Sequence, residues 1–415
     1  MSRLAINGGE PVRTRPFPPY PQFGEEEARA AAETVRRGIL CSQMYEDPED
    51  SQVRGFEREF AEHAGTRFAM ATSSGTTALH TALAAAGIGV GDEVIVPPYT
   101  FLATATSVLM ANAVPVFADI EPRTLGLDPA SVRERITPRT RAVIVVHMNG
   151  YPADMDALVA LARERDLVLI EDCAHAHGAR HRGRRVGSIG RLGAFSFQQK
   201  KNLSLGEGGM VTTDDQGMAE VAARLRSFGG RPLGFNYRMP ELQAAVGRVR
   251  LRRLDAGNEQ RRANAASLDR RLHELPGIEP LRPREHTEAV YYNYVALCEE
   301  EALGVSRDCL LQALQAEGIP ARSSYAPLRR HETFRTRDGY GRGCPFACPF
   351  YLEAGGEVPG YDERDTPMAV ALCDRRIVDI KIHPPCDLDD MAEIADALEK
   401  VITHLDQLRT SADDA

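Results

Sequence analysis

Lysine is almost missing from the 415 residues of this chain. It stands only at Lys200, Lys201, Lys381 and Lys400, so arginine supplies 46 of the 50 basic positions. Where positive charge alone is needed, arginine serves; a lysine that survives is a candidate for work a guanidinium cannot do, such as forming a Schiff base. An excess of positive charge is missing as well. With 59 acidic residues the formal net charge is −9, which removes the electrostatic basis for a nucleic-acid partner. No apolar run reaches the roughly 20 residues of a membrane span. The longest, residues 101–118, contains Asn112 and Pro115 and reads as a buried helix followed by a strand. The opening Met1-Ser-Arg-Leu-Ala-Ile-Asn-Gly-Gly lacks an apolar h-region, so no signal peptide and a cytoplasmic location are expected. The eight cysteines are scattered. Only Cys344 and Cys348 are close, and no second Cys/His pair completes a zinc site, so free thiols and no metal are expected.

What remains is a composition of 43% apolar and 26% charged residues, enough for two or three domains with their own cores. Residues 1 to about 60 read as a lead-in, with a helix over Glu25–Gly38 whose alanines and valine face one way. From Phe68 short apolar runs alternate with helical patterns. Strands are predicted at Phe68–Thr72, Glu93–Val96, Val114–Phe117, Ala142–Val146, Leu167–Glu171, Ala194–Phe197 and Gly209–Thr213. Helices fall between them at 76–86, 101–111, 129–135, 154–165 and 217–227. That alternation predicts an α/β fold, a mostly parallel seven-stranded sheet flanked by helices. An arginine-rich helical stretch, Met239–Leu275, follows. A strand at Tyr291–Leu297 and helices at Arg307–Glu317 and Leu388–Leu408 predict a smaller C-terminal α/β domain. The expected division is 1–255 for the lead-in and large domain and 256–415 for the linking helix and small domain. Residues 329–367, dense in Arg, Gly, Pro and Cys, read as an irregular insertion able to form part of a binding surface.

In open α/β sheets, ligands sit beyond the carboxyl ends of the strands, and four polar features fall there. Thr72-Ser-Ser-Gly-Thr-Thr77 joins a strand to an apolar helix. Its small residues and free N–H groups suit a phosphate, although taken alone the stretch reads first as an ordinary Ser/Thr cap. It is not a Walker loop, nor does Gly87-Ile-Gly-Val-Gly91 complete a dinucleotide fingerprint. Val168-Leu-Ile-Glu-Asp172-Cys-Ala-His175-Ala-His177 puts Asp172 at a strand tip, either to hold a cationic ring nitrogen or to cap the next turn. Gly193-Ala-Phe-Ser196-Phe-Gln-Gln-Lys200-Lys201 leads into the glycine-rich Gly206-Glu-Gly-Gly209. A lysine desolvated there has a lowered pKa and becomes a nucleophile. In an extended stretch neighbours point opposite ways, so only one of the pair can face the site. Gly234-Phe-Asn236-Tyr-Arg238-Met-Pro-Glu241 reads as a turn and helix start.

Phe195-Ser-Phe-x-x-x-Lys201-Asn-Leu-x-x-Gly206-Glu-Gly-Gly209 resembles the Schiff-base signature of the DegT/StrS-type sugar aminotransferases, which are fold type I pyridoxal phosphate enzymes. Gly91-Asp-Glu-Val-Ile-Val-Pro97, Thr100-Phe101, Glu171-Asp172-x-Ala-His175 and Asn236-Tyr-Arg-Met-x-Glu241 match as well. The resemblance covers residue 5 to about 275 and returns at His383–Ile402. It implies that Lys201 binds the cofactor aldehyde and shuttles a proton, that Asp172 pairs with the ring nitrogen, and that His175 sits beside the phenolic oxygen. It further implies that Phe101 stacks on the ring and that Gly75, Thr76 and Ser196 hold the phosphate. Asn236 matches a residue that reaches the neighbouring subunit's phosphate, which implies a homodimer with shared sites. The implied reaction is amino transfer from glutamate or glutamine to a keto-sugar or keto-cyclitol in antibiotic or amino-sugar biosynthesis, an aminocyclitol product being favoured. Three alternatives stay open on this fold: an aromatising reaction like that of aminohydroxybenzoate synthases, a dehydratase, and a non-catalytic cofactor-binding accessory protein. Lys200 departs from the family pattern and is expected to point away, with a substrate contact as the alternative. Cys41–Asp50 departs too, and is expected to shape the substrate side.

Overall fold

Each of the seven apolar runs from Phe68 to Thr213 is long enough for a strand and too short for a buried helix, and all seven form one sheet. The computed structural model describes residues 3–229 and 233–409; Met1 and Ser2, at the start of the segment read for a leader, lie outside the described residues. The strands are β1 (Phe68–Thr72), β2 (Glu93–Val96), β3 (Val114–Phe117), β4 (Thr140–Val146), β5 (Val168–Asp172), β6 (Leu192–Ser196) and β7 (Gly209–Thr213). Their order across the sheet is β1-β7-β6-β5-β4-β2-β3, and only β7 runs antiparallel to its neighbours. The crossovers carry α3 (Gly75–Ala85), α4 (Ala103–Met110), α5 (Pro129–Arg135), α6 (Met155–Glu164) and α7 (Gln216–Leu225).

The two-residue period of the strands sorts their side chains between the layers. Val94, Val96, Ile144 and Ile170 pack with Leu79 and Leu83 of α3 on one face. Ile95, Val143, Val145 and Leu169 pack with Met155, Leu158 and Leu161 of α6 on the other. Both faces are dry, so the runs are continuously apolar and do not alternate with polar residues.

Helix α8 (Glu241–Leu272) then runs 32 residues without a break, through the expected division at 255 and 256. Its far end, through Ala265, Leu268 and Leu272, enters a second core. That core holds a three-stranded antiparallel sheet of β8 (Ile278–Pro280), β9 (Tyr294–Cys298) and β10 (Ile377–Ile380), with α9 (Arg307–Ala316) and α10 (Leu388–Thr403). Helix α10 closes at a C-cap on His404, so the expected run to Leu408 ends at Thr403.

Two segments differ from their sequence reading. Helix α1 (Glu25–Arg37) buries Glu27 and Thr34, whereas Val35 is 54% exposed. The reason is electrostatic. The Glu27 carboxylate accepts from Gly24 N at 2.9 Å and from Arg253 Nη1 of α8 at 3.1 Å, so charge ties α1 to the arginine-rich helix, while Ala30, Ala31 and Ala32 are half-buried. The irregular insertion covers the open edge of the large sheet. Phe334 and Tyr361 pack their rings 5.2 and 4.9 Å from Phe117 of β3, and Tyr351 Oη donates to Glu93 Oε1 at 2.9 Å.

Helix α2 (Gln52–Ala64) is tied to β1 by a buried ion pair. Glu57 Oε1 accepts from Ala71 N at 2.9 Å and from Arg226, which also donates to Ala71 O. Glu57 Oε2 keeps a half-exposed partner in Arg54 Nη1 at 3.0 Å, so removing Arg226 takes away the buried half of the pairing, toward the low end of the about 3–5 kcal/mol that breaking a buried pair costs. Arg226→Met should therefore lower the urea midpoint strongly, and adding Glu57→Met should restore much of the loss. An unchanged midpoint in the single variant would show that the pair does not hold α2 in place.

Candidate active site

Strand β1 ends at Thr72, and the chain turns into α3 through Ser74, whose Oγ accepts from Thr77 N at 3.1 Å while Thr77 Oγ1 accepts from Ser74 N at 3.0 Å. This reciprocal cap fixes the first turn, where helical N–H groups have no intrahelical partner. Gly75 opens that turn against β6. A Cβ there would lie 2.5 Å from Ser196 Cβ, so only glycine permits the approach. Gly75, Thr76 and Ser196 together line one end of a cavity of about 690 Å³.

Asp172 enters the same cavity from the tip of β5. Its Oδ2 accepts from the Thr104 hydroxyl at 2.8 Å and its Oδ1 from Ala174 N at 3.1 Å. Burial raises its pKa, and those two hydrogen bonds work against the rise. His175 is buried and stacked on Tyr292, with centroids 4.0 Å apart and planes 6° from parallel. Neither of its ring nitrogens has a hydrogen-bond partner among the described residues. Burial, followed by the charges of Lys201 and Lys381, pushes its pKa well below the ordinary histidine value, so the ring is neutral.

Lys201 sits opposite, only 8% exposed, with Nζ 4.8 Å from the Tyr292 ring centroid. Burial draws its amine from 10.5 down to about 8, against the attraction of Asp172. Lys200 does not point away, as an extended strand would require. Lys201 N donates to Gln198 O at 2.8 Å, so the segment turns, and Lys200, though exposed, also lines the cavity. Phe101 stands at the mouth, 56% exposed and 6.4 Å from Tyr325. Asn236 is exposed and does not line the cavity. It is bridged to Ser227, while the next residue, Tyr237, accepts from Ser73 N at 2.8 Å beside the α3 turn. Neither Cys41–Asp50 nor residues 329–367 contribute to the cavity wall.

Several wall residues were not singled out from the sequence. Thr104, Tyr292, Arg322 and Tyr325 line the cavity, and Lys381 Nζ lies 3.9 Å from the Tyr292 ring centroid. Lys381 carried a signal, since the scarcity that marks Lys200 and Lys201 marks it equally. Tyr292 carried none. Its place depends on Gly150, at φ +88°, where a Cβ would lie 2.9 Å from the nitrogens of Tyr291 and Tyr292.

Beneath the site His147, Glu171 and Cys173 bring their ligand atoms within 4.8 Å of one another. Their polar atoms are already engaged. His147 Nδ1 accepts from Ala153 N at 3.1 Å, its Nε2 lies 3.0 Å from Glu171 Oε2, and Glu171 Oε1 accepts from the nitrogens of Ile189 and Gly190, both at 2.7 Å. A structural anchor for the end of β5 accounts for the group.

The cavity residues fit pyridoxal phosphate. A half-satisfied buried carboxylate suits a protonated ring nitrogen, an unpartnered buried imidazole suits a polar ring substituent, and a desolvated amine suits the aldehyde. The capped glycine turn suits the phosphate.

The comparisons agree with the geometry. A model of the DegT/DnrJ/EryC1/StrS aminotransferase family matches residues 23–354. The chain is 39% identical to the L-glutamine:2-deoxy-scyllo-inosose aminotransferase of Streptomyces fradiae, over 99% of this chain and 100% of that one. Among solved structures, DesI with its TDP-sugar product superposes with a TM-score of 0.83 at 29% identity, covering 99% of each chain. The 3-amino-5-hydroxybenzoic acid synthase superposes with a TM-score of 0.81 at 29% identity, over 94% of this chain and 100% of that one.

The lowered amine pKa gives a direct expectation for the cofactor-free protein. Lys201 should be acetylated by acetic anhydride with a pH midpoint near 8, well below that of an ordinary lysine amine. Asp172 attracts the ammonium form, so Asp172→Asn should move the midpoint lower still. Peptide mass mapping across neutral to alkaline pH reads both, and an ordinary midpoint at Lys201 would contradict its desolvation.

Proposed function

The chain belongs to the DegT/DnrJ/EryC1/StrS aminotransferase family and is a pyridoxal phosphate-dependent aminotransferase, and from that premise we propose that it transfers the amino group of L-glutamine to a keto-cyclitol of the 2-deoxy-scyllo-inosose type. The observation that carries this reading is the near full-length 39% identity to an enzyme named for that donor and that ketone. When bound, pyridoxal phosphate supplies an electron sink for the pair released at the carbon that carries nitrogen.

The residues of this chain divide the remaining work. Asp172 would hold a proton on the ring nitrogen of bound pyridoxal phosphate, because its carboxylate is buried with only two hydrogen-bond donors of its own. Lys201 Nζ, near pKa 8, takes the proton from the donor's α-carbon and returns it to the other substrate's carbon. His175, neutral and fixed by its stack on Tyr292, offers a ring nitrogen to the phenolic oxygen. Gly75, Thr76 and Ser196 would hold the phosphate, and Phe101 at the mouth would cover the bound ring. Asn236, exposed and outside its own cavity, reaches the phosphate of a second copy, which makes the working unit a homodimer with shared sites. Residues 1–255 carry the cofactor and 256–415 close over the substrate. Among the described residues no helix is long and apolar enough to cross a membrane, which is compatible with a cytoplasmic biosynthetic role.

Two experiments test this. Borohydride reduction of the enzyme with its cofactor, followed by peptide mapping, should leave a phosphopyridoxyl mass on Lys201. Lys201→Ala should lose the adduct and all turnover, while Lys200→Ala keeps the adduct; the reverse pattern would overturn the assignment. Product analysis with L-glutamine and 2-deoxy-scyllo-inosose should give the amine, whereas an aromatic or dehydrated product would replace this reading.

A further inference from the structure

Lys201 lies in a turn that belongs to no helix or strand, so no ladder of backbone hydrogen bonds holds it. Its N–H donates to Gln198 O at 2.8 Å. Lys201 and Asn202 are both buried, and among the described residues a single group donates to their carbonyls. That group is the Tyr20 hydroxyl, 2.8 Å from Lys201 O and 3.2 Å from Asn202 O. Tyr20 comes from the lead-in, 181 positions away in sequence. Its ring stacks on His383, with centroids 4.2 Å apart and planes 22° from parallel. Upstream, the lead-in is pinned to the small domain. Glu317 accepts from Ala5 N at 2.9 Å and Val12 N at 3.0 Å, and Arg13 Nη1 donates to Asp390 Oδ1 at 2.8 Å.

Arg261 of α8 decides which way the Tyr20 proton points. It is 2% exposed, and its guanidinium donates to Tyr20 Oη at 3.0 Å and to Asn258 Oδ1 at 3.3 Å, with no carboxylate among its partners in the described residues. A guanidinium can only donate, so it occupies a lone pair of the phenol oxygen and leaves the single O–H proton for the carbonyls. A charged donor on that oxygen also strengthens the bond the proton makes. The main chain of Lys201 is thereby held on both sides of its Cα, by Gln198 at the N–H and by Tyr20 at the carbonyl. Tyr20 itself is absent from the wall of the main cavity. We infer that Tyr20, with its hydroxyl oriented by Arg261, is a positioning residue that aims the Lys201 side chain into the cavity. The inference rests on the aminotransferase reading and extends the working site to the lead-in. Because Tyr20 stacks on His383 and its segment is anchored on the small domain, the aim of the lysine depends on where the small domain sits.

The test begins on the full cofactor-free chain, where acetylation reads the Lys201 amine directly. Tyr20→Phe keeps the ring and its stack and removes the hydroxyl alone. Freed at its carbonyl, Lys201 should gain water, and its acetylation midpoint should rise from about 8 to about 9. Arg261→Met should move the midpoint the same way, and Arg261→Lys should restore it. In the holoenzyme, Tyr20→Phe should lower kcat for amino transfer about ten-fold, the order of one hydrogen bond, with the KM of each substrate unchanged. Arg226→Met, which weakens the fold through another contact, should leave the Lys201 midpoint in place. An unchanged midpoint in Tyr20→Phe would overturn the positioning role, whatever the turnover. An equal shift in Arg226→Met would overturn it too, since general loosening would then account for both. A raised KM with kcat intact would make Tyr20 a substrate contact and overturn it likewise. If the midpoint moves in Tyr20→Phe and not in Arg226→Met, while the unaltered holoenzyme transfers no amine from any amino acid, the positioning of Lys201 stands and the functional reading fails.

Discussion

An amine and a carboxylate, Lys201 and Asp172, are both buried in one cavity wall, and that shared desolvation constrains the rest of the site. Burial moves each toward its neutral form, the amine to about 8 and the carboxyl upward, and each restrains the other. A parallel sheet gives the arrangement without special devices. Its strands point their carboxyl ends one way, so residues from β5 and from the turn after β6 converge although 29 positions separate them in sequence. The glycine at position 75 lets α3 approach β6 closely enough to close the far end.

The architecture was legible because it rests on local patterns. Strands at Phe68–Thr72, Glu93–Val96 and Val114–Phe117 end where composition places them, since a continuous apolar run flanked by Gly, Pro or Ser has few other solutions. Lys201, Asp172 and the Ser74 turn were legible for the same reason, each being a short motif at a strand end. What escaped the sequence depends on contacts between distant segments. Helix α1 reads as amphipathic by its alanines, yet the arginines it meets on α8 lie more than 200 residues on, and they select Glu27. Lys200 lines the cavity, the alternative to pointing away, because the residues around it turn where alternation was expected.

The wall opposite Lys201 illustrates the same limit. Tyr292 precedes β9, Arg322 follows α9 and Lys381 follows β10, so none shares a motif with another. They meet because Arg322 and Asp379 exchange backbone hydrogen bonds at 3.1 and 2.7 Å and because Gly150 admits the Tyr291–Tyr292 backbone. The motif residues of the cavity lie in contiguous sequence, whereas the wall opposite them is assembled by tertiary structure. Families that keep one chemistry and change substrates have this division available to them.

The covered sheet edge has a consequence for biosynthesis of the protein itself. Strand β3 lies at the rim of the large sheet, and its cover, carrying Phe334 and Tyr361, is more than 200 residues further along the chain. During translation at about 5–20 residues per second, the first seven strands emerge long before that cover. For the interval between, β3 presents unpaired backbone and apolar side chains, the kind of edge that recruits other strands. The nascent chain thus passes through an interval in which its β3 edge lacks the cover that Phe334 and Tyr361 give it in the folded protein.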